Sequence, residues 1–278
     1  MTLWLALWAC AGDTEPEVPT EGVLSTLTYN VHGLPSELTG DDTPARMDAI
    51  APLLAEFDLI GLQEDFDSDL HEALTSALDH ESRLWFDELL PERFYGSGLA
   101  SLGRLETAES WTEHYDACHG VLEGASDCLA SKGFSVLRLV LGGAASVDLY
   151  NTHLEAGSGD EDLAARASHV DQVLTSLTGA SAGQAVIFVG DFNLHEDRDE
   201  PDRELYDQLI EEGGLSDACQ TVSCPETRID KFLYRSGSAV ALTPTSWANR
   251  TDDFQLDGEP LSDHDPLAAD FAWEAVGD

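Results

Sequence analysis

The chain has 278 residues, with 54 acidic against 13 basic side chains and a formal net charge of −41. Hydrophobic residues make up 42%, enough for a sizeable core, so a wholly disordered chain is excluded. No apolar run reaches the roughly 18 residues of a membrane-spanning helix, and the scarcity of Lys and Arg (Lys132 and Lys231 are the only lysines) argues against a protein that grips nucleic acid through a basic face.

From the amino terminus, the run MTLWLALWAC ends in Cys10 and is too short to cross a bilayer. Its last four residues, Leu7-Trp8-Ala9-Cys10, resemble a bacterial lipoprotein signal, in which the cysteine is lipidated and the preceding residues are removed. Residues 11–22 (AGDTEPEVPTEG) hold acids, Pro, Gly and Thr and almost nothing to bury, and read as a solvated tether. The expected layout is therefore a signal over 1–10, an acidic tether over 11–22 and one folded domain over 23–278.

Within the domain, Val23–Tyr29 reads as a strand ending at Asn30. Thr43-Pro44 is a helix start, with Thr as N-cap and Pro in the first turn. Met47, Ile50, Ala51, Leu54 and Phe57 then recur at helical spacing. A short buried-type strand covers Asp58–Gln63 and stops at Glu64, and Leu70–Leu78 reads as a second helix. Further strands are expected at Gly98–Leu102, Phe134–Leu141, Ser146–His153 and Ala185–Val189. Between the last two lies a helix with Leu163, Ala167, Val170, Val173, Leu174 and Leu177 on its apolar face. Glu204–Glu212 reads as helix, and Asp230–Tyr234, Val240–Thr243 and Leu267–Phe271 as strands. Strands and helices mixed in this way predict sheets flanked by helices.

With Cys10 assigned to lipid, four cysteines remain. Pairing Cys118 with Cys128 and Cys219 with Cys224 is the simplest of three connectivities, and an exported compartment permits it. Neither pair has the CxxC spacing of a zinc site.

The chemistry is concentrated where strands stop. Asn30, Glu64, His153, Asp191 with Asn193, and the pair Asp263-His264 each follow or precede an apolar run, and Asp230 opens another. Buried amide, carboxylate and imidazole groups are costly unless they meet each other, a metal or a ligand. The segments that carry them, in order, are TYNVHGLP, GLQEDF, YNTHLEA, VGDFNLH, RIDKFLY and LSDHDPL. This series resembles the endonuclease/exonuclease/phosphatase superfamily over about residues 23–273. YGSGLASLGR, SKGFSVLRL (with Lys132) and SGSAVALTPTSW (with Trp247) resemble most closely the bacterial and neutral sphingomyelinases.

The resemblance implies an α/β fold of four layers, two central β-sheets flanked by helices in the DNase-like manner. It implies a divalent ion, Mg²⁺ with Mn²⁺, Co²⁺ or Ca²⁺ as substitutes, held by the hard oxygens of Glu64 and Asn30 with Asp263 beside them. His264 is the expected general base, oriented by Asp230. Asp191 would direct the attacking water, Asn193 and His153 would donate to the phosphoryl oxygens, and Lys132 would bind substrate phosphate. His32, His195 and His119 lie near motifs with no assigned role. Trp85, Trp111, Tyr115 and Trp247 suit either a choline headgroup, by cation–π attraction, or ordinary packing, which is the preferred reading.

Three functions follow. The first is a secreted or lipid-anchored, metal-dependent phosphodiesterase of sphingomyelinase type, monomeric, located in the bacterial cell envelope or outside the cell, and touching the membrane through its anchor and Trp247. The second is a secreted endonuclease of the same superfamily, disfavoured by the charge. The third, a non-catalytic anchored binding protein, is disfavoured because every expected catalytic side chain is present.

Overall fold

The computed structural model describes residues 18–120, 127–195, 200–224 and 228–277. The lipoprotein-like segment and the tether as far as residue 17 lie outside the described residues.

Fourteen strands are present among the described residues: β1 Glu21–Asn30, β2 Leu59–Gln63, β3 Ser82–Phe86, β4 Leu99–Gly103, β5 Thr107–His114, β6 Gly133–Gly142, β7 Ala145–His153, β8 Ala185–Asp191, β9 Ser216–Asp217, β10 Asp230–Arg235, β11 Val240–Asn249, β12 Gln255–Leu256, β13 Glu259–Pro260 and β14 Leu267–Ala275. The helices are α1 Ser36–Thr39, α2 Thr43–Ile50, α3 Ser68–Thr75, α4 Asp160–Thr178, α5 Glu200–Gly213 and α6 Ala218–Thr221. One six-stranded sheet has the order β11-β14-β1-β2-β4-β3 and the other β5-β6-β7-β8-β10-β9.

Three buried clusters account for four layers. Leu24, Leu59, Leu137, Leu149, Ile187, Phe232 and Phe271 fill the space between the sheets. Tyr150, Phe188 and Phe192 meet Val170, Val173 and Leu177 of α4 on one outer face. Leu27, Ile60 and Leu62 meet Met47, Ile50 and Leu74 of α2 and α3 on the other. The expected α/β sandwich is what the chain forms.

The sheets approach closely at Gly61, where an added Cβ would lie 2.4 Å from Val189 Cγ2 and 3.1 Å from Asn151 Cγ. Here a buried polar tie spans the interface. Gln63 Nε2 donates to Asn151 Oδ1 (2.8 Å) and Thr28 Oγ1 (3.2 Å), and Asn151 Nδ2 donates to the carbonyls of Leu62 and Ala100. Directional buried hydrogen bonds of this kind favour one register between two otherwise apolar faces.

Several local expectations are corrected. The periodic run from Met47 to Phe57 is not one helix: α2 ends at Ile50 and a 3₁₀ helix covers Ala51–Glu56, Pro52 falling in its first turn. Asp42, not Thr43, caps α2, accepting from Ala45 N, while Thr43 Oγ1 donates to Leu34 O. β1 starts at Glu21, so the last two tether residues belong to the sheet. On α4 the buried face runs through Ala165, Arg166 and His169, leaving Leu163 and Ala167 only partly covered. The Arg166 guanidinium pairs with Asp202 and donates to Glu155 O and Gly157 O, which pulls the polar side inward. β3 and β5 were not foreseen; both are sheet edges, and β5 (TAESWTEH) is mostly exposed and lacks alternation. Both expected disulfides are formed, with Cα–Cα separations of 5.3 Å for Cys118–Cys128 and 5.0 Å for Cys219–Cys224.

Gly61→Ala forces a methyl into the close approach and is expected to cost about 1–3 kcal/mol. Urea unfolding checks this, and an unchanged midpoint contradicts the packing described.

Candidate active site

Strand directions gather the polar residues at one end of the sandwich. β1 and β2 are parallel with Asn30 opposite Gln63, so Glu64 emerges beside Asn30. β7 and β8 are parallel with His153 opposite Asp191, and β10 runs antiparallel to β8 with Asp230 also opposite Asp191. β14 pairs antiparallel with β1, which returns the loop before it, carrying Asp263 and His264, to Asn30. That loop is fastened by Ser262, whose Oγ donates to Asn30 O (2.7 Å) and accepts from His264 N (3.2 Å).

Glu64 stands in the left-handed region (φ 59°), an uncommon conformation for a residue with a Cβ. Its carbonyl accepts from Gly33 N at 3.0 Å, and a Cβ on Gly33 would lie 2.3 Å from that oxygen, so the turn admits only glycine. Asn30 Nδ2 donates to Glu64 Oε1 (2.8 Å) and Asp191 Oδ2 (3.3 Å), while Asn30 Oδ1 accepts from His32 N. One buried amide thus draws carboxylates from the two sheets together. Burial holds Glu64 above the ordinary carboxylate range, against the opposing Asn30 hydrogen bond and the charges of Lys132 and His32.

Asp191 is 1% exposed. Burial, then the charge of Asp230, pushes it up to about 6, while His264, Lys132 and the Asn193 N–H act the other way. His264 Nδ1 lies 2.9 Å from Asp230 Oδ2 and its Nε2 3.7 Å from Asp191 Oδ2. Burial alone would lower this imidazole. The Asp230 hydrogen bond and the field of Asp230, Asp191 and Asp263 outweigh it and raise His264 to about 10. His153 is the opposite case: burial first, then Lys132 and His264, hold it well below the ordinary value, so it is neutral. Its Nε2 is 3.4 Å from Asp191 Oδ2, and its buried Nδ1 has no partner.

Asp263 lies at the rim with its side chain 62% exposed, paired to His32 Nδ1 at 3.1 Å. That hydrogen bond, opposed by partial burial, lowers Asp263 to about 2. Asn193 has φ 50° and donates through Nδ2 to Leu154 O. Lys132 is buried; its Nζ pairs with Asp127 (2.8 Å) and donates to the same Leu154 carbonyl (2.9 Å).

Two residues without an expected role belong to the site's frame. His32 sits between Asp263 and Glu64 (4.0 Å to Oε2). Arg46 donates to the carbonyls of Val31, His32 and Leu261, tying the loop after β1 to the loop before His264. The sequence signal for Arg46 was its place on the buried face of α2, with Thr43, Met47 and Ile50 at helical spacing. His195 donates its backbone N–H to Asp202, and His119 Nδ1 is 2.6 Å from Asp162; neither carboxylate is one of the expected site residues. The aromatic candidates are packed: Trp85 stacks on His71, Tyr115 on His169, Trp111 meets Tyr150 edge-on, and Trp247 lies partly buried against the core between the sheets.

The donor set suits a hard divalent cation. Glu64 and Asp191 aim oxygens at one amide group, and Asp230 Oδ1 is buried without a partner, so negative charge exceeds its protein compensation. Oxygens of Asp191 and Asp230 and a nitrogen of His264 also lie within 4.8 Å of one another. Because His264 Nδ1 is already engaged by Asp230, Glu64 with Asp191 is the better fit for an ion.

The Endonuclease/Exonuclease/phosphatase family matches residues 27–264. The chain belongs to this family, whose members hydrolyse phosphoric esters, typically with a metal. Among its relatives, sphingomyelinases of Mycobacterium bovis and Mycobacterium tuberculosis are 30% identical over 94% of this chain. The chain spans about half of their length, 55%. Sphingomyelinase C of Streptomyces griseocarneus superposes with a TM-score of 0.67 at 19% identity, covering 90% of this chain and 99% of that one. A Staphylococcus aureus beta toxin variant with bound magnesium ions gives 0.66 at 14% identity (89% and 99%). D. rerio TDP2 complexed with single-strand DNA product gives 0.66 at 18% identity (90% and 98%).

Without metal, the His264 imidazolium is expected to persist through pH 8, and Asp230→Asn is expected to lower its titration midpoint. NMR of the ring protons measures both; a midpoint indifferent to Asp230→Asn contradicts the dyad.

Proposed function

We propose that this chain is a divalent-metal-dependent phosphodiesterase, exported and either secreted or lipid-anchored, that releases the phosphorylated headgroup of a phospholipid of sphingomyelin type. The observation that carries the reading is the Asp230–His264 dyad aimed at Asp191, with Glu64 and Asn30 joined to the same carboxylate. Thirty percent identity to mycobacterial sphingomyelinases supports the substrate class, and two disulfides support an oxidising compartment.

Glu64 and Asp191 would hold Mg²⁺, or Mn²⁺, Co²⁺ or Ca²⁺ in its place. The ion supplies charge neutralisation at the phosphate, an otherwise poor electrophile. Asp230 fixes the His264 tautomer, leaving Nε2 to take a proton from water. Asp191, 3.7 Å from that nitrogen, orients the water. Neutral His153, 3.4 Å from Asp191, and the second Nδ2 hydrogen of Asn193 would donate to a phosphoryl oxygen. Lys132 contributes positive potential from its buried ion pair, and Asp263 holds His32 at the rim. With a cation beside Asp191, the negative field that raises His264 is offset, which returns the imidazole toward a basic form at working pH.

A net charge of −41 repels a polyanion more than a zwitterionic headgroup, which ranks the nuclease second. Incubation with Mg²⁺ against sphingomyelin, other phospholipids and plasmid DNA tests the ranking. Headgroup release abolished by chelation is expected, and nicking of DNA without lipid hydrolysis overturns the reading. His264→Ala is expected to lose about 100-fold or more in kcat; retention of a tenth of the rate rejects the general base.

Asp191 has a folded pKa above its unfolded value, so the folded chain favours the protonated form and loses stability as pH rises through about 6. Binding of a cation removes that penalty. Saturating Mg²⁺ is therefore expected to raise Tm more at pH 7.5 than at pH 5, by the equivalent of about 2.7 kcal/mol at a hundredfold excess over Kd. Glu64→Gln diminishes the shift. An equal shift at both pH values contradicts the assignment.

A further inference from the structure

Large apolar side chains left exposed are unevenly placed. Among the described residues, Leu38 (65% exposed), Leu89 (55%), Phe94 (72%) and Leu256 lie on the connections between sheet strands at the catalytic end, whereas Val18, Val23 and Val276 lie at the other. The placement follows from strand direction. β4 is antiparallel to β2, and β3 to β4, so the connection 87–98 that carries Leu89 and Phe94 spans the end where Glu64 emerges. Leu38 lies on the connection that leaves Asn30.

The loop 87–98 is braced, so its apolar side chains are presented outward. Leu90 N donates to Ser131 Oγ (3.0 Å), and Phe94 N (2.8 Å) and Tyr95 N (3.0 Å) both donate to Leu129 O. The neighbouring Tyr95 ring turns inward onto Phe66, 5.4 Å between centroids. The backbone is thus fixed on both sides of the exposed groups, against the segment that leads into Lys132. Around them stand Asp87, Glu88 and Glu92 with the single cation Arg93, whose guanidinium donates to Cys128 O. Such a surface suits an uncharged or zwitterionic face and is repelled by an anionic one.

We propose that Leu89 and Phe94, with Leu38 beside the site, form the surface by which the catalytic end rests on a zwitterionic lipid bilayer. This rests on the phospholipid reading above: a diester embedded in a bilayer reaches the cluster only if this end faces the membrane. Isolated apolar anchors of this kind, shallowly buried in the headgroup layer, give reversible association. Trp247, partly buried against the core between the sheets, offers less exposed surface than these residues.

The test uses the full chain expressed without lipid modification, and vesicles of phosphatidylcholine with sphingomyelin. Flotation is measured in chelator, so that no turnover occurs. Leu89→Asp with Phe94→Asp is expected to weaken partition about tenfold or more. Val276→Asp, at the other end, leaves it unchanged. With Mg²⁺, hydrolysis of soluble bis(p-nitrophenyl) phosphate by the double variant stays within about twofold of wild type, which separates docking from folding and chemistry. Added anionic lipid at low salt reduces wild-type partition. Wild type that does not float, or a double variant that floats equally, overturns the proposal, as does wild-type self-association that the double variant abolishes. Equal hydrolysis of vesicle lipid by both proteins overturns docking and leaves the phospholipid reading standing. Hydrolysis of the soluble diester by wild type with none of vesicle lipid overturns the phospholipid reading itself.

Discussion

Negative charge packed out of water governs this molecule. Asp191 is almost fully buried, Asp230 faces it across a strand pair, and Glu64 reaches it through a shared amide. Carboxylates so placed repel one another and are poorly hydrated, and each has been given what local compensation the fold can supply: an imidazole for Asp230, a backbone N–H for Asp191, the Asn30 amide for Glu64. The compensation is incomplete, as the unpartnered Asp230 oxygen and the elevated Asp191 and Glu64 attest. Such a deficit in the interior is what the proposed cation and phosphodiester would complete.

The two sheets meet this constraint through register. A slip of one residue between β8 and β10 would turn Asp230 to the opposite face and leave His264 without its orienting acid. The Gln63–Asn151 tie and the close approach at Gly61 hold the sheets in place immediately below the carboxylates. Arg46 performs the corresponding task above them, binding three carbonyls from two loops far apart in the chain. The precision of the site therefore rests on strands and on buried donors, with little left to free loop conformation.

Much of this was legible in the residues. Apolar runs that stop abruptly at Asn30, Glu64, His153 and Asp191 announce strand ends, and strand ends of one sheet are neighbours in space, so the cluster and the layered fold could be read together. Less legible was anything whose role depends on partners remote in sequence. β3 and β5 are edge strands with little to bury on one side, and so carry no strong alternation. Arg166 and His169 occupy the inward side of α4 because Asp202, Glu155 and Ala117 offer them hydrogen bonds, which helical periodicity cannot reveal. Lys132 stands out in the sequence as one of two lysines, but nothing there shows that Asp127 pairs with it. His32 passed without a role because nothing in its own segment signals that Asp263 lies 3.1 Å away.

The pairing of β1 with β14 has a consequence for how the protein comes into being. β1 lies inside its sheet, and one of its two neighbours, β14, is the most distant from it in sequence among the described strands. Until β14 has been synthesised, that edge of β1 stays open, and the His264 imidazole on the preceding loop arrives only shortly before it. Closure over so many intervening residues is slow relative to local contacts. The proposed site is thus incomplete until β14 has been made and has docked, a delay written into the topology itself.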